Sequence, residues 1–308
     1  MAERLLIDTD TASDDAVALI MALRHSDVEV EAITVVAGNV ALDQAVQNAL
    51  YTVELCGSSV PVFGGLTGPL LRDLEDATDT HGDDGFGDIG LDLSGRVPTY
   101  GHAVDVITET IMANRGEITL VTLGPLSNVA TALLRTPDIA TAVKRCVVMG
   151  GAGRGPGNVT PLAEYNLWAD PEAARIVCRS GLPLTLVGWD ISVASAMLSA
   201  HDASRIRNLG SDLARFAIDI QATVEKFSRD VSGLDGFDLP DPMAMAVAID
   251  PGIATTERHH VDVAFGDGRD RGKDIVDWLD ATGLGANADV VTSVSRRRFI
   301  TMLEETLS

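Results

Sequence analysis

The stretch Leu5-Leu6-Ile7-Asp8-Thr9-Asp10-Thr11-Ala12-Ser13-Asp14-Asp15 joins a short apolar run to a cluster of four aspartates. An Ala-rich pattern with helical spacing follows, so the stretch reads as the end of a strand and the start of a helix. Carboxylates this close repel one another and raise one another's pKa values, and a divalent cation or a hydroxyl-rich ligand would relieve the repulsion. We therefore expect the functional site of the protein at this cluster.

Short β-rich runs alternate with helical patterns on both sides of this cluster. The predicted strands are Leu5 to Asp8, Val30 to Ala37, Val60 to Phe63, Ile118 to Leu123, Cys146 to Met149 and Leu184 to Val187. The predicted helices are Asp14 to Leu23, Leu42 to Leu55, Val104 to Asn114, Ser127 to Leu134 and Pro171 to Cys178. The alternation predicts an α/β fold with an open, doubly wound, mainly parallel, Rossmann-like sheet flanked by helices.

Sheets of this kind bind ligands outside the carboxyl ends of their strands. The aspartate cluster, Gly38-Asn39, Leu123-Gly124 and Met149-Gly150-Gly151 all follow predicted strands, so we expect them to share one crevice. The helical pattern over about 202–250 predicts a cap above that crevice. We expect all of this to belong to a single domain of residues 1–308.

The net charge of the chain argues against two classes of binding partner. The 308-residue chain has 23 basic and 45 acidic residues, a formal net charge of -22, and only three lysines. Nucleic acid and anionic membrane surfaces both attract Lys and Arg, so we expect neither as a partner. Cys56, Cys146 and Cys178 lie apart in apolar stretches, and the chain begins without a basic and apolar leader, which favours a reducing, cytoplasmic location.

The first half of the aspartate cluster fits one alternative, a haloacid-dehalogenase-type phosphatase. Asp8 would then be the nucleophile and Asp10 the general acid. That chemistry also requires a later Lys to hold the phosphoryl group, and Lys144 precedes a predicted strand instead of following one. A phosphorylase is disfavoured as well, because the sequence has neither a P-loop nor an obvious basic anion site.

The whole cluster resembles that of the calcium-dependent, inosine-uridine-preferring nucleoside hydrolases, and the resemblance covers nearly the full chain. The matching motifs, in order, are Asp8-Thr9-Asp10 with Asp14-Asp15, Val36 to Asn39, Leu123 to Asn128, Met149 to Gly151, Gly157 to Pro161, Ala163 to Asn166, Asp170 to Ala174, Asp241-Pro242 and Val276 to Trp278. Both order and spacing agree with the family.

This resemblance implies a bound Ca²⁺, a cation that takes six to eight oxygen ligands. The implied ligands are the carboxylates of Asp10, Asp15 and Asp241 and the backbone carbonyl of Leu123. Asp241 also has a simpler interpretation as the N-cap of the helix that begins at Pro242.

The resemblance further implies hydrolysis of a ribonucleoside to free base and ribose, with Asp10 as general base toward a calcium-bound water. The implied sugar contacts are Asp14 and Asn39 at the 2′- and 3′-hydroxyls, Asn166 near the ring, Asn158 and Glu164 at the 5′-hydroxyl, and Met149 beneath the sugar. Asn39 and Asn158 could instead be turn residues, Met149 ordinary core, and Glu164 and Asn166 solvated loop residues.

Two departures from the family concern the site. Thr11-Ala12 replaces the usual Pro-Gly, and Pro240 replaces the His that usually precedes the late metal-binding Asp. Proline has no proton to donate to a leaving base. His81 matches another family histidine near the pocket and is a candidate contact or donor, or else a plain loop residue. Pro240 keeps open a second function, a metal- and ribose-binding protein without catalysis.

Aromatic side chains could stack on the base, although large aromatics are more often core. The candidates are Trp168, Trp189, Phe227 and Phe237. His259 and His260 fall at a predicted late strand, where neighbours face opposite ways, so a shared metal role is disfavoured. The sequence thus predicts a Ca²⁺-dependent ribonucleoside hydrolase of purine or pyrimidine salvage, and family resemblance implies a homo-oligomer, dimer or tetramer.

Overall fold

The computed structural model describes residues 2–233 and 235–308. Across these residues it has ten strands: β1 Glu3–Thr9, β2 Val28–Val35, β3 Val62–Gly64, β4 Ile118–Thr122, β5 Arg145–Met149, β6 Leu184–Val187, β7 Ala254–His259, β8 Val261–Val263, β9 Asp274–Val276 and β10 Ala288–Val294. Eight of them form a central sheet in the order β3-β2-β1-β4-β5-β6-β10-β7. All neighbours in this sheet are parallel except β10 and β7.

The α-helices of the same residues are α1 Ser13–Arg24, α2 Leu42–Leu55, α3 Thr78–His81, α4 Ala103–Ala113, α5 Ser127–Arg135, α6 Ile139–Ala142, α7 Tyr165–Ala169, α8 Pro171–Arg179, α9 Trp189–Ser195, α10 Ala200–Arg207, α11 Asp212–Asp219, α12 Ala222–Phe227, α13 Pro240–Ile249 and α14 Arg296–Leu307. A π-helical turn, Ser228–Ser232, continues α12, and a 3-10 turn, Pro251–Ile253, follows α13. No helix in the described part of the chain is both long and apolar enough to span a membrane.

The sheet is buried on both faces, which explains the continuous apolar run of β1. Leu5 and Ile7 pack in one hydrophobic core, with residues of α1, α2 and α9 to α14. Leu6, between them, packs in a second core with α4, α5, α6 and α8. Because alternate side chains of a strand face opposite sides, a strand with helices above and below must be apolar throughout. The predicted doubly wound α/β fold is confirmed.

The element bounds agree closely with the sequence pattern. α2 occupies the predicted range, and the six predicted strands each match an observed strand to within two residues at either end. The three cysteines are unpaired, and Cys146 and Cys178 are buried, as expected for reduced core residues.

The carboxyl edge of the sheet is covered by the cap region. Residues of α12, the π-helical turn and the start of α13 line the same cavity as residues that follow β1, β2 and β4 and the last residue of β5. These four strands are adjacent in the sheet order, so the ends of four consecutive strands form the floor beneath the cap.

Candidate functional site

The cavity at this edge has a volume of about 360 Å³. The described residues that line it include the predicted site residues Asp14, Asn39, His81, Leu123, Met149, Asn158, Glu164, Asn166 and Asp241. None of the described lining residues is Lys or Arg, so the cavity lacks the cations that a phosphate group would need.

Three aspartates bring their carboxylates together at the floor of the cavity. Oxygen atoms of Asp14, Asp15 and Asp241 all lie within 4.8 Å of one another. The first two lie in the first turn of α1, and Asp241 lies in the first turn of α13. The described trio contains Asp14 where the sequence had led us to expect Asp10 beside Asp15 and Asp241. Leu239, not Asp241, is the N-cap of α13, so the capping interpretation of Asp241 is wrong.

Asp10 lies beside this trio but in an enclosure of its own. Its Oδ2 accepts a hydrogen bond from the backbone N–H of Asn39 at 2.6 Å. Its Oδ1 is buried and accepts no hydrogen bond from the described residues. Gly38 and Gly124 flank the carboxylate, and a Cβ at these positions would lie 2.1 Å from Oδ2 and 2.6 Å from Oδ1.

Crowding and burial shift the acidity of the cluster. Burial and the charge of Asp14 raise the pKa of Asp15 to about 7. Burial, together with the neighbouring carboxylates, raises the pKa values of Asp10 and Asp241 well above the ordinary range. Asp15 is positioned by Thr9 Oγ1, which donates to Oδ1 at 2.5 Å, and by Ala12 N–H, which donates to Oδ2 at 2.9 Å. Such a cluster favours either protonation or a bound cation.

Asn166 connects the ends of two strands. Its Nδ2 donates to the carbonyl oxygen of Leu123 at 2.7 Å and lies 3.2 Å from Met149 Sδ. Glu164 positions Asn166 in turn, because its Oε1 accepts from Asn166 N–H at 2.7 Å while Oε2 accepts from Gly151 N–H at 2.9 Å. Both residues are nearly fully buried, so they are not solvated loop residues. Burial raises the pKa of Glu164 to about 7.

Two other polar residues of the prediction, Asn158 in a loop and His81 at the end of α3, also line the cavity. Asn158 accepts from Tyr165 N–H through Oδ1 at 2.9 Å and is exposed toward solvent. His81 is buried, with Nδ1 2.9 Å from Ser13 Oγ and 3.8 Å from Asp14 Oδ1. Burial lowers the pKa of His81, although the Asp14 charge opposes this.

Three of the four aromatic candidates line the cavity, and the fourth does not. Trp168, Trp189 and Phe227 line the cavity, while Phe237 is buried in the core and is not among the described lining residues. His259 packs its ring against Trp278 at 4.8 Å between ring centroids, and His260 Nδ1 lies 3.1 Å from Gly285 O. The two histidines have separate partners outside this cavity.

Asp8 and Asp170 are structural acids. Asp8 Oδ1 accepts from Thr34 Oγ1 at 2.7 Å and from Asn128 Nδ2 at 2.9 Å, inside the protein. Asp170 accepts from Ala173 N–H at 3.0 Å and so caps α8. The buried position of Asp8 and the absence of Lys and Arg from the described lining residues do not suit the phosphatase alternative.

The sequence reasoning missed several lining groups. Asp238 lines the cavity, as do Glu75, Asp76 and Asp79 from the loop before and within α3. Ser13 lies inside the aspartate cluster and contacts His81, a role that the sequence did not indicate. The available signal for Asp238 was its place three residues before Asp241.

Comparison with known proteins agrees with this geometry. The family model described as inosine-uridine preferring nucleoside hydrolase matches residues 5–301. A pyrimidine-specific ribonucleoside hydrolase, RihA, of Salmonella schwarzengrund (strain CVM19633) is 36% identical, covering 100% of this chain and 99% of the relative. The solved plant nucleoside hydrolase PpNRh1 has a TM-score of 0.94 and 32% identity over 100% of this chain and 99% of its own. A purine-preferring ribonucleoside hydrolase from Gardnerella vaginalis has a TM-score of 0.91 and 32% identity, with 99% and 98% covered.

Proposed function

The chain belongs to the inosine-uridine preferring nucleoside hydrolase family and hydrolyses the N-glycosidic bond of ribonucleosides, and from that premise we propose how its residues perform the reaction. The observation that supports the mechanism is the convergence of buried carboxylates with polar side chains at the ends of four strands. The phosphatase alternative is wrong, since the matched family extends over nearly the whole chain.

The residues fit a hard divalent cation, and we propose Ca²⁺. The carboxylates of Asp14, Asp15 and Asp241 converge, and buried Oδ1 atoms of Asp10 and Asp14 lack hydrogen-bond partners among the described residues. An all-oxygen donor set of this charge suits calcium. Asp10, Asp15, Asp241 and the Leu123 carbonyl would hold the ion, with Asp14 beside them. When bound, the cation supplies positive charge that lowers the pKa of coordinated water.

Asp10 is the proposed general base. Its Oδ1 is free of protein hydrogen bonds while Oδ2 is held by Asn39 N–H, so the carboxylate is fixed in place with one oxygen left to take a proton. A positioned base of this kind contributes about 10²- to 10⁴-fold to a rate. Asp10 takes the proton of the attacking water as the C1′–N bond breaks.

The other polar groups bind the sugar. The side chains of Asp14 and Asn39 form hydrogen bonds with the 2′- and 3′-hydroxyls. Asn166 lies close to the sugar ring, because its bonds to Leu123 and Glu164 position it. Asn158 and Glu164 hold the 5′-hydroxyl, Met149 lies beneath the sugar, and His81 contacts it near Asp14. Binding energy from these hydroxyls orients the reacting bond.

Pyrimidine ribonucleosides are the proposed preferred substrates, because the relative named as pyrimidine-specific is 36% identical to this chain, against 32% for the structure named as purine-preferring. A protein of this kind serves nucleoside salvage. We further propose that it works in the cytoplasm as a homo-oligomer, dimer or tetramer, with residues 1–308 as one domain. Light scattering behind size-exclusion chromatography measures the oligomeric state directly.

The testing experiment measures ribose release from uridine, cytidine, inosine, adenosine and guanosine, with Ca²⁺ and with a chelator. We expect release that the chelator abolishes and that is fastest for uridine and cytidine. Faster release from the purines would overturn the pyrimidine preference. Binding of ribose without release from any nucleoside would instead favour the catalytically inactive metal- and ribose-binding protein that Pro240 had left open.

A further inference from the structure

Asp238 enters the cavity from a tightly held segment just before α13. Leu198 N–H donates to Phe237 O at 2.7 Å, and Phe237 N–H donates to Leu198 O at 3.2 Å. Gly236 has a φ of 125° and approaches Leu198 so closely that a Cβ would lie 2.1 Å from its carbonyl oxygen. Neighbouring side chains of extended backbone face opposite sides. Phe237 therefore lies in the core while Asp238 faces the cavity.

The Asp238 carboxyl is buried yet incompletely satisfied. The residue is 7% exposed, and its Oδ2 accepts no hydrogen bond from any residue that the structure describes. A buried polar atom without a partner is costly, and one that faces a cavity indicates a ligand group opposite it. Burial and, to a smaller extent, the charge of Asp14 raise the pKa of Asp238 to about 6, although Ser192 and Trp189 lie nearby and favour the charged form. Near neutral pH, a fraction of the molecules therefore holds this carboxyl in the protonated form that can act as an acid.

Three other lining residues are less suited than Asp238 to protonate a departing base. Pro240 has no proton to give. His81 is paired with Ser13 and lies beside Asp14, and burial lowers its pKa. The Tyr165 hydroxyl donates to the carbonyl oxygen of Glu75 at 2.9 Å.

Asp238 lines the cavity from the segment just before α13, and Phe227 lines it from α12 of the cap region. Met149 is instead the last residue of β5, and Asn166 is bonded to Leu123 at the end of β4. If the ribose binds at the strand ends, as the proposed function requires, the base lies toward the cap. The carboxyl of Asp238 is then on the side of the leaving group.

We propose that Asp238 is the catalytic acid that donates a proton to the leaving base, in place of a side chain at position 240. This inference rests on the proposed function. The C1′–N bond breaks and its electron pair passes to the base, which takes the Asp238 proton on a ring nitrogen or a conjugated atom. The oxygen of water bonds to C1′ and its proton goes to Asp10. Exchange with solvent returns a proton to Asp238 and removes one from Asp10, so each turnover consumes one water.

The test compares substrates whose leaving groups differ in how much they need protonation in order to depart. Asp238→Asn keeps the size of the side chain and removes its acidic proton. With uridine and inosine we expect kcat to fall about 10²- to 10⁴-fold, the usual contribution of a general acid. With 4-nitrophenyl β-D-ribofuranoside, whose leaving group departs as a stable anion, we expect kcat/KM within about threefold of wild type. A merely structural role would lower both activities together.

Three variants serve as controls. Asp138→Asn removes the same charge from an exposed position and is expected to leave both activities and Tm unchanged. Asp238→Glu retains an acid and is expected to recover part of the nucleoside activity. If Asp238→Asn fails to fold, Asp238→Ser replaces it as the smaller variant without an acidic proton.

Equal losses on both substrates, or no loss on either, would overturn the proposal. A selective loss of nucleoside cleavage in His81→Asn, but not in Asp238→Asn, would overturn it in favour of His81. Failure of the proposed function is a separate result, because wild-type protein would then release no ribose from any ribonucleoside, whatever the variants do.

Discussion

The carboxylate of Asp10 is enclosed by backbone from two other strand ends. Gly38 follows β2 and Gly124 follows β4, and no side chain would fit between them and Asp10. Asn39 N–H holds one oxygen at 2.6 Å. Among the described residues, no Lys or Arg pairs with this carboxylate, and a backbone N–H orients it for proton transfer from water.

Asp10→Asn should abolish most turnover while preserving the fold. Its side-chain oxygen can still accept from Asn39 N–H, and a charge that repels Asp15 is removed. We expect kcat to fall about 10²- to 10⁴-fold, the usual contribution of a general base. Reducing-sugar release measures kcat, and a thermal scan in chelator should show a Tm no lower than that of wild type. A variant with most of its activity would remove Asp10 as the base.

Gly38→Ala tests the enclosure itself. The added Cβ would lie 2.1 Å from Asp10 Oδ2 and 2.7 Å from Pro125 Cδ, so the carboxylate or the loop must move. We expect about 1–3 kcal/mol lower stability, as for overpacked cores, together with a large loss of kcat. Gly64→Ala is the matched control, since its Cβ would lie 3.6 Å from the nearest atom, Val46 Cγ2. Equal urea midpoints and activities for the two variants would contradict the close fit.

The positions of some site residues could be predicted from their spacing in the sequence, and those of others could not. Asp14 and Asp15 precede a helical pattern, so their place in its first turn follows from sequence. Asp10 was grouped with Asp241 from the sequence, and the place of Asp14 beside them was not foreseen, because the contacts of Asp10 with Gly38 and Gly124 come from other strands. Asp238 faces the cavity only because Phe237 pairs with Leu198, a contact that no local pattern reveals.

Among elements, α8 shows how a buried acid can be structural. Asp170 accepts from Ala173 N–H at 3.0 Å, from Ser127 Oγ at 2.6 Å and from Leu70 N–H at 2.8 Å. It therefore joins the start of α8 to α5 and to the loop after β3. The capping role was predictable from the following Pro171, whereas the two tertiary bonds were not.

Asp170→Ala should destabilise the protein without changing its chemistry. Loss of the cap and of two partners of buried donors is expected to cost about 2–4 kcal/mol. Asp138→Ala is the matched control, because Asp138 is the N-cap of α6 but makes no side-chain capping bond. Urea unfolding gives the two free energies, with KM for nucleoside measured beside them. Similar destabilisation by both substitutions would show that the bonds of Asp170 contribute little.

Elements were predicted best where burial is regular. The inner strands carry nearly continuous apolar runs, because helices cover both faces of the sheet, and α2 carries apolar residues at helical spacing. The edge strand β7 is mostly exposed, and β8 and β9 have three residues each, so periodicity gives little signal for them. The short helices α3, α6 and α7 depend on tertiary contacts and were likewise not predicted.

At the scale of the whole molecule, a formal net charge of -22 coexists with a buried cluster of the same sign. The surface charge is solvated and screened by salt, whereas the buried carboxylates are not. Bulk salt and a bound cation should therefore act on stability separately, and this difference allows the proposed metal site to be tested without an activity assay.

Calcium should stabilise the folded protein, and a chelator should remove that gain. A ligand that binds only the folded state adds about 2.7 kcal/mol at a hundredfold excess over Kd. We expect the urea midpoint to rise with Ca²⁺, whereas NaCl at equal ionic strength should give a smaller shift through screening alone. Asp241→Asn removes one carboxylate of the trio and should lose most of the calcium-specific part. Equal shifts with both salts would show that no specific cation site stabilises the protein, and an undiminished calcium effect in Asp241→Asn would remove Asp241 from the proposed site.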